Sequence, residues 1–278
     1  MTFPTAHTPV PPFLATQRLN NTAPLGSARF VPRDLDETMS AIFATWNVLD
    51  ANMYSREPSA TFMTGYLREL QLRRMVQLVR APHVRTYCEV GMNGGHSLAA
   101  MMLARAGLRA HVFDLLKWRY SWPAATLINA TFGAGRVAFY EGYSHRTLPS
   151  FVSAARQRGV TCDLVLVDGG HTFRAARADI EELQAVATHE TRLVTDDIGM
   201  PPGNAIKVLN RTGVLRIEEI YGPFEKRSRH SPCMRPTPNA NPGRMCPKWG
   251  FAVSRFLRPG ANKTRVANTT RVKRGAGA

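Results

Sequence analysis

Four short stretches of this sequence carry side chains that could do chemistry together. The first is Asp168-Gly169-Gly170-His171 and the second Asp196-Asp197, each directly after an apolar run. Three carboxylates brought to one place repel one another unless they are protonated or share a cation. Oxygen ligands of this kind suit a hard divalent ion such as Mg²⁺, which makes Asp168, Asp196 and Asp197 candidate metal ligands. His171, three residues after Asp168, is placed to take a proton from a substrate oxygen. The third stretch, Glu89-Val90-Gly91-Met92-Asn93-Gly94-Gly95-His96-Ser97, follows another apolar run and opens a helical pattern. Its glycines let the backbone turn tightly and approach a ligand, and Glu89 favours one with a positive amino group. The spacing is not the G-x-G-x-x-G fingerprint, which weighs against NAD. The fourth is Asp114, 23 residues after Gly91, where a carboxylate can accept both hydroxyls of a ribose. Plainer readings stand beside these: a structural strand–helix turn, a loop acid at 114, a helix cap at 196 or 197, and a histidine that only bonds its own loop.

The elements that must position these residues are legible as periodicity. Residues 35–53 and 59–80 have helical spacing, with Met39, Ile42, Phe43, Trp46 and Leu49 on one face of the first. Phe62, Tyr66, Leu67, Leu70 and Val76 mark the second. Short apolar runs at 84–90, 111–114, 136–141, 162–168 and 192–196 read as strands. Helical patterns at 97–106, 124–130, 147–158 and 174–187 separate them. This alternation predicts a three-layer α/β sheet of parallel strands, whose carboxyl ends bring the four stretches to one crevice. A short helix at 204–211 and strands at 214–221 and 249–256 follow. No crossover helix separates that last pair, so the last strand is expected to be antiparallel.

Charge is concentrated away from this region. Of 36 basic residues against 20 acidic, residues 34–215 hold 19 and 17, so the +16 total belongs mostly to the ends and to the 222–248 loop. The expected organisation is an arm at 1–33, a helical extension at 34–82, a catalytic domain at 83–257 and a disordered basic tail at 258–278. The acid-free arm reads either as an organellar transit segment or as a Pro/Thr-rich extension. No window is long and apolar enough to span a membrane, which suits a soluble cytoplasmic or organellar protein. Cys88 and Cys162 lie in apolar runs and read as buried hydrophobes, whereas Cys233 and Cys246 flank a loop they could close as a disulfide.

The ordered set of Glu89-Val90-Gly91…Gly95, Asp114, Glu141-Gly142-Tyr143-Ser144, Val167-Asp168-Gly169-Gly170-His171-Thr172-Phe173 and Asp196-Asp197 resembles a class I S-adenosylmethionine (SAM)-dependent methyltransferase. It is most similar to small-molecule O-methyltransferases that carry an Asp-Gly-x-His-x-(Tyr/Phe) motif. Metal-dependent sugar O-methyltransferases of the macrolide pathways have a similar carboxylate and histidine arrangement. The resemblance covers about residues 84–256, including Trp249-Gly250-Phe251-Ala252-Val253 where such families often read Trp-Gly-x-x-Val. It implies a Rossmann-like fold in which Glu89, Gly91, Asn93 and Gly95 cradle the methionine part of SAM. Asp114 would hold the ribose and Ser144 would lie beside the adenine. Asp168 would border the cofactor and, with Asp196 and Asp197, hold the metal, while His171 would be the base. The Pro-Gly-Gly turn usual before the fifth strand is replaced by Ala187-Thr188-His189-Glu190-Thr191, and the 222–248 loop is long.

The expected activity is methyl transfer to a hydroxyl of a small molecule with divalent-metal assistance. A nucleic-acid methyltransferase gripping phosphates with its Arg-rich ends is the first rival, disfavoured because the near-neutral domain shows no basic stripe. A NAD-dependent oxidoreductase and a non-catalytic binding protein on the same fold are the others. The helices at 35–80 are candidates for a lid or a homodimer contact.

Overall fold

The computed structural model describes residues 34–58, 67–133, 135–224 and 249–260. The 1–33 arm, most of the 222–248 loop with Cys233 and Cys246, and the chain beyond residue 260 lie outside them. In chain order the elements are α1 (Leu35–Arg56), α2 (Glu69–Val79), β1 (Thr86–Val90), α3 (His96–Ala104), β2 (Arg109–Asp114), α4 (Ser121–Phe132) and β3 (Val137–Glu141). There follow α5 (Ser144–Gln157), β4 (Leu164–Val167), α6 (Phe173–Leu183), β5 (Arg192–Thr195), α7 (Pro201–Arg211), β6 (Leu215–Phe224) and β7 (Trp249–Phe256).

The strands form one sheet in the order β3-β2-β1-β4-β5-β7-β6. The first five are parallel, and β7 pairs antiparallel with both β5 and β6. This is the mostly parallel Rossmann-like sheet with an antiparallel end that the sequence leads one to expect. The direction of winding reverses between β1 and β4, so their carboxyl ends border the crevice where such sheets bind ligands.

Alternation along each strand sends side chains to two cores. Tyr87, Leu164, Leu166, Val194 and Phe251 pack on one face against α1, α2, α3 and α4. Cys88, Val90, Phe113, Val165, Val167 and Leu193 pack on the other against α5, α6 and α7. Burial on both faces explains why β4 reads as the unbroken apolar run Leu-Val-Leu-Val. The N-terminal helices belong to the first layer: Met39, Ile42, Trp46 and Leu49 are buried there, while Phe43 turns out 41% exposed and meets Trp46 edge-on.

Two expectations need correction. The second helix does not run unbroken from 59: Arg68 is extended (φ −70°, ψ 152°) and the helix begins at Glu69. The extended residue lets the Arg68 guanidinium cross to β7 and stack on Trp249, 4.2 Å from the ring centroid. Cys88 and Cys162 are buried as expected but are joined in a disulfide across 74 residues. A cysteine that packs as a small hydrophobe and one that packs while cross-linked have the same neighbours in sequence, so the bond was not legible there. Replacing both by Ala should cost about 2–4 kcal/mol, the usual range for a native cross-link. Urea unfolding of the double variant against the oxidised protein measures this.

Candidate active site

Beyond β1 the chain must turn sharply under two constraints. A Cβ at Gly91 would lie 2.2 Å from the Asp168 carbonyl oxygen, and its φ of +94° is left-handed, so only glycine fits. Gly95 (φ +84°) starts α3 with Ile128 closely packed against it, 2.7 Å from where a Cβ would stand. Between them the main-chain N–H groups of Met92 and Asn93 donate to Asp114 Oδ2 at 2.8 and 3.0 Å, and Leu116 N–H donates to Oδ1 at 2.6 Å. Asp114 thus ties the β1 turn to the end of β2. Tyr120 donates its hydroxyl to Asn93 Oδ1 at 2.6 Å, and its carbonyl accepts from Asn52 Nδ2 of α1 at 3.1 Å.

Glu89 lies beneath the turn and is fully buried. Ser97 Oγ donates to its Oε1, while Oε2 has no well-formed hydrogen bond among the described residues. Burial pushes this carboxyl up to about 8, a shift that Ser97 and the buried Tyr87 hydroxyl only partly offset. A buried carboxyl with one oxygen lacking a well-formed hydrogen bond, below a glycine turn, fits a ligand that brings an ammonium group. The start of α3 is held from α1 as well: Trp46 Nε1 donates to the His96 carbonyl at 2.8 Å, and His96 Nε2 lies 3.3 Å from Asp50 Oδ1. Ser144, half-buried, opens α5 just beyond β3.

At the ends of β4 and β5, His171 Nε2 lies 3.3 Å from Asp197 Oδ2 and 3.8 Å from Asp168 Oδ1. Ligand-type atoms of Asp168, His171 and Asp197 all fall within 4.8 Å of one another, and this donor set fits a divalent cation. Asp197 sits in the left-handed region (φ +54°), where a non-glycine residue is strained and functional sites often hold one. Asp168 raises the His171 ring to about 9, with Asp197 and Asp196 adding to it and burial opposing. Burial and the neighbouring carboxylates push Asp168 and Asp196 above the ordinary carboxylate range. Asp196 is engaged differently: its Oδ1 accepts from Trp249 Nε1 at 3.1 Å and from the Asp197 N–H at 2.8 Å. Neither Asp196 nor Asp197 caps the next helix, whose N-cap is Met200.

Arg68 completes the charge pattern. Its guanidinium stacks on Trp249, burial lowers its pKa, and Asp196, Asp197 and Asp168 act against that lowering. Nη1 is buried without a hydrogen-bond partner, and the side chain makes no ion pair among the described residues. A cavity of about 480 Å³ between α7 and β6, lined by Ile198, Met200, Ile217 and Pro223 among others, borders the loop after Asp197. The contributions of Asp50, Arg68 and Tyr120 come from long-range packing that no local pattern announces, and the Trp-Gly motif marks Trp249 without revealing its contact with Asp196.

With this geometry in hand, residues 88–198 match a family model described as a methyltransferase domain. That match spans less than half of the chain. No curated protein matches the sequence. Among solved structures, cofactor-bound Rv0187 from MTB aligns with a TM-score of 0.54 at 18% identity, covering 91% of this chain and all of that one (100%). The O-methyltransferase TomG from Streptomyces achromogenes, involved in tomaymycin synthesis and solved with SAM, gives 0.54 at 14% identity over 75% of this chain and 89% of that one. An O-methyltransferase from Bacillus cereus in complex with S-adenosylhomocysteine (SAH) gives 0.52 at 13% identity over 87% and 99%. At these identities the likeness is one of fold. Asp114→Ala should free three main-chain donors. We expect a loss of about 1–3 kcal/mol in urea unfolding.

Proposed function

We propose that this chain is a SAM-dependent O-methyltransferase acting on a hydroxyl of a small molecule with help from a divalent cation. The observation that carries the reading is the contact of the Gly91 turn with the Asp168 backbone at the switch point. The Glu89 carboxyl beneath that turn and the Asp168, His171 and Asp197 cluster beyond the Asp168 backbone support the reading. Glu89 would receive the amino group of SAM and the turn its methionine part, with Asp114 and Ser144 toward the ribose and adenine. Asp168 and Asp197 would hold the cation, whose chemistry there is to lower the pKa of the acceptor hydroxyl. In the ligand-free protein, protonated His171 supplies the positive charge between these carboxylates. With a cation in that role, the ring is free to act as a base.

The acceptor oxygen attacks the sulfonium methyl. The O–C bond forms as the C–S bond breaks, the electron pair stays on sulfur, and SAH leaves. The hydroxyl proton passes to His171 Nε2. The protein contributes mainly alignment, since the sulfonium already activates the methyl group.

Raised thermal stability with SAH and none with NAD, followed by methyl transfer from labelled SAM to catechols, sugars, polyols and RNA, tests the reading. Asp168→Ala and Asp197→Ala should each abolish activity together with its dependence on divalent ion. Full activity of both in excess chelator removes the cation from the mechanism. Arg68, facing the carboxylates from α2's extended start, would touch the acceptor. For Arg68→Gln we expect the acceptor KM to rise at least about tenfold with the KM for SAM unchanged. An unchanged acceptor KM assigns Arg68 to packing on Trp249 alone.

A further inference from the structure

The near-neutral domain is strongly polarised along its strands. Arg85, Arg109, Arg136 and Arg192 stand at the starts of β1, β2, β3 and β5, whereas Asp114, Glu141, Asp168 and Asp196 stand at the ends of β2, β3, β4 and β5. The acids belong to the crevice described above. The bases lie at the opposite edge of the sheet, where a second cavity of about 580 Å³ is lined by Arg85, Arg109, Arg136 and Arg158 together with His83 and Asp163.

The arginines divide by what they already do. Arg136 donates to the Leu108 and Phe132 carbonyls, and Arg192, outside the cavity, pairs with Glu218. Arg85, Arg109 and Arg158 are exposed and make no side-chain hydrogen bond or ion pair among the described residues. Asp163 is the one acid in the lining, and its Oδ2 is already taken by the main-chain N–H groups of Arg85 and Thr86 at 2.7 and 2.9 Å. Guanidinium groups gathered round one cavity repel one another unless an anion lies between them. Each presents a planar fork of donors that matches phosphate oxygens.

We propose that this cavity binds an oligophosphate anion of the pyrophosphate, triphosphate or nucleoside-polyphosphate class. Arg85, Arg109 and Arg136 start three neighbouring strands, so their charge is spread over two strand spacings, about 10 Å. That span favours a chain of phosphates over a single one. The volume is that of a small-ligand site rather than of a surface dimple. Apart from the imidazoles of His83 and His111 no aromatic ring lines it, so it lacks the Phe, Tyr or Trp platforms on which single-stranded nucleic acid stacks. The cavity is remote from the methyl-transfer crevice, and the proposal does not depend on the reaction assigned there.

The test is calorimetry on the full chain with inorganic tripolyphosphate, pyrophosphate and orthophosphate at about 0.15 M salt, where long-range attraction is screened. We expect tripolyphosphate to bind at least about tenfold more tightly than orthophosphate. The Arg109→Ala/Arg158→Ala variant should lose at least about tenfold of that affinity while its thermal unfolding midpoint is unchanged. Both substitutions are at exposed positions, and the unfolding curve checks that the variant is folded. Equal tripolyphosphate affinity in variant and wild type would assign the binding to basic residues elsewhere in the chain and overturn the proposal. So would orthophosphate binding as tightly as tripolyphosphate, or a single-stranded RNA oligomer displacing it and losing its own affinity in the same variant.

Discussion

The candidate site depends on how closely two backbones pass at the switch point. Residue 91 follows β1 and residue 168 follows β4, and between them there is room for a hydrogen but not for a methyl group. Because that gap is closed, the glycine turn and the acidic cluster form one continuous edge rather than two separate loops. Asp114 then fixes the turn from the side by accepting three main-chain N–H groups, and Glu89 lies below it with one oxygen lacking a well-formed hydrogen bond. A side chain at 91 would push the two strand ends apart and open every one of these relations together.

The N-terminal helices work as part of this arrangement. Helix α1 reaches the α3 start through Trp46 and Asp50 and the Tyr120 carbonyl through Asn52. Arg68 stacks on the indole whose N–H holds Asp196. The carboxylates consequently face one guanidinium and one imidazolium in a partly desolvated space, where such pairings count for more than they do in water.

Much of this was legible in the sequence because it is written in local patterns. Alternating strand and helix periods lead to the sheet and its crevice, and the carboxylates stand where those strands end. The second helix was drawn too long because periodicity does not register a single extended residue such as Arg68. The Cys88–Cys162 bond was illegible because burial alone accounts for both residues. Grouping by residue type put Asp196 with Asp168 and Asp197, yet only atomic positions reveal that Trp249 and the Asp197 N–H occupy its Oδ1 and that His171 lies between the other two. Summing charge over 34–215 gave near neutrality and hid the order of signs along each strand.

The stretch that matches the methyltransferase-domain model stops at residue 198, whereas Arg68 precedes it and Trp249 follows it. The cation and the indole that face the carboxylates are therefore supplied by flanking segments, not by the shared module. Changes in those two residues alter what faces the carboxylates while Gly91 and the Asp168 backbone, both inside the matched stretch, keep their contact.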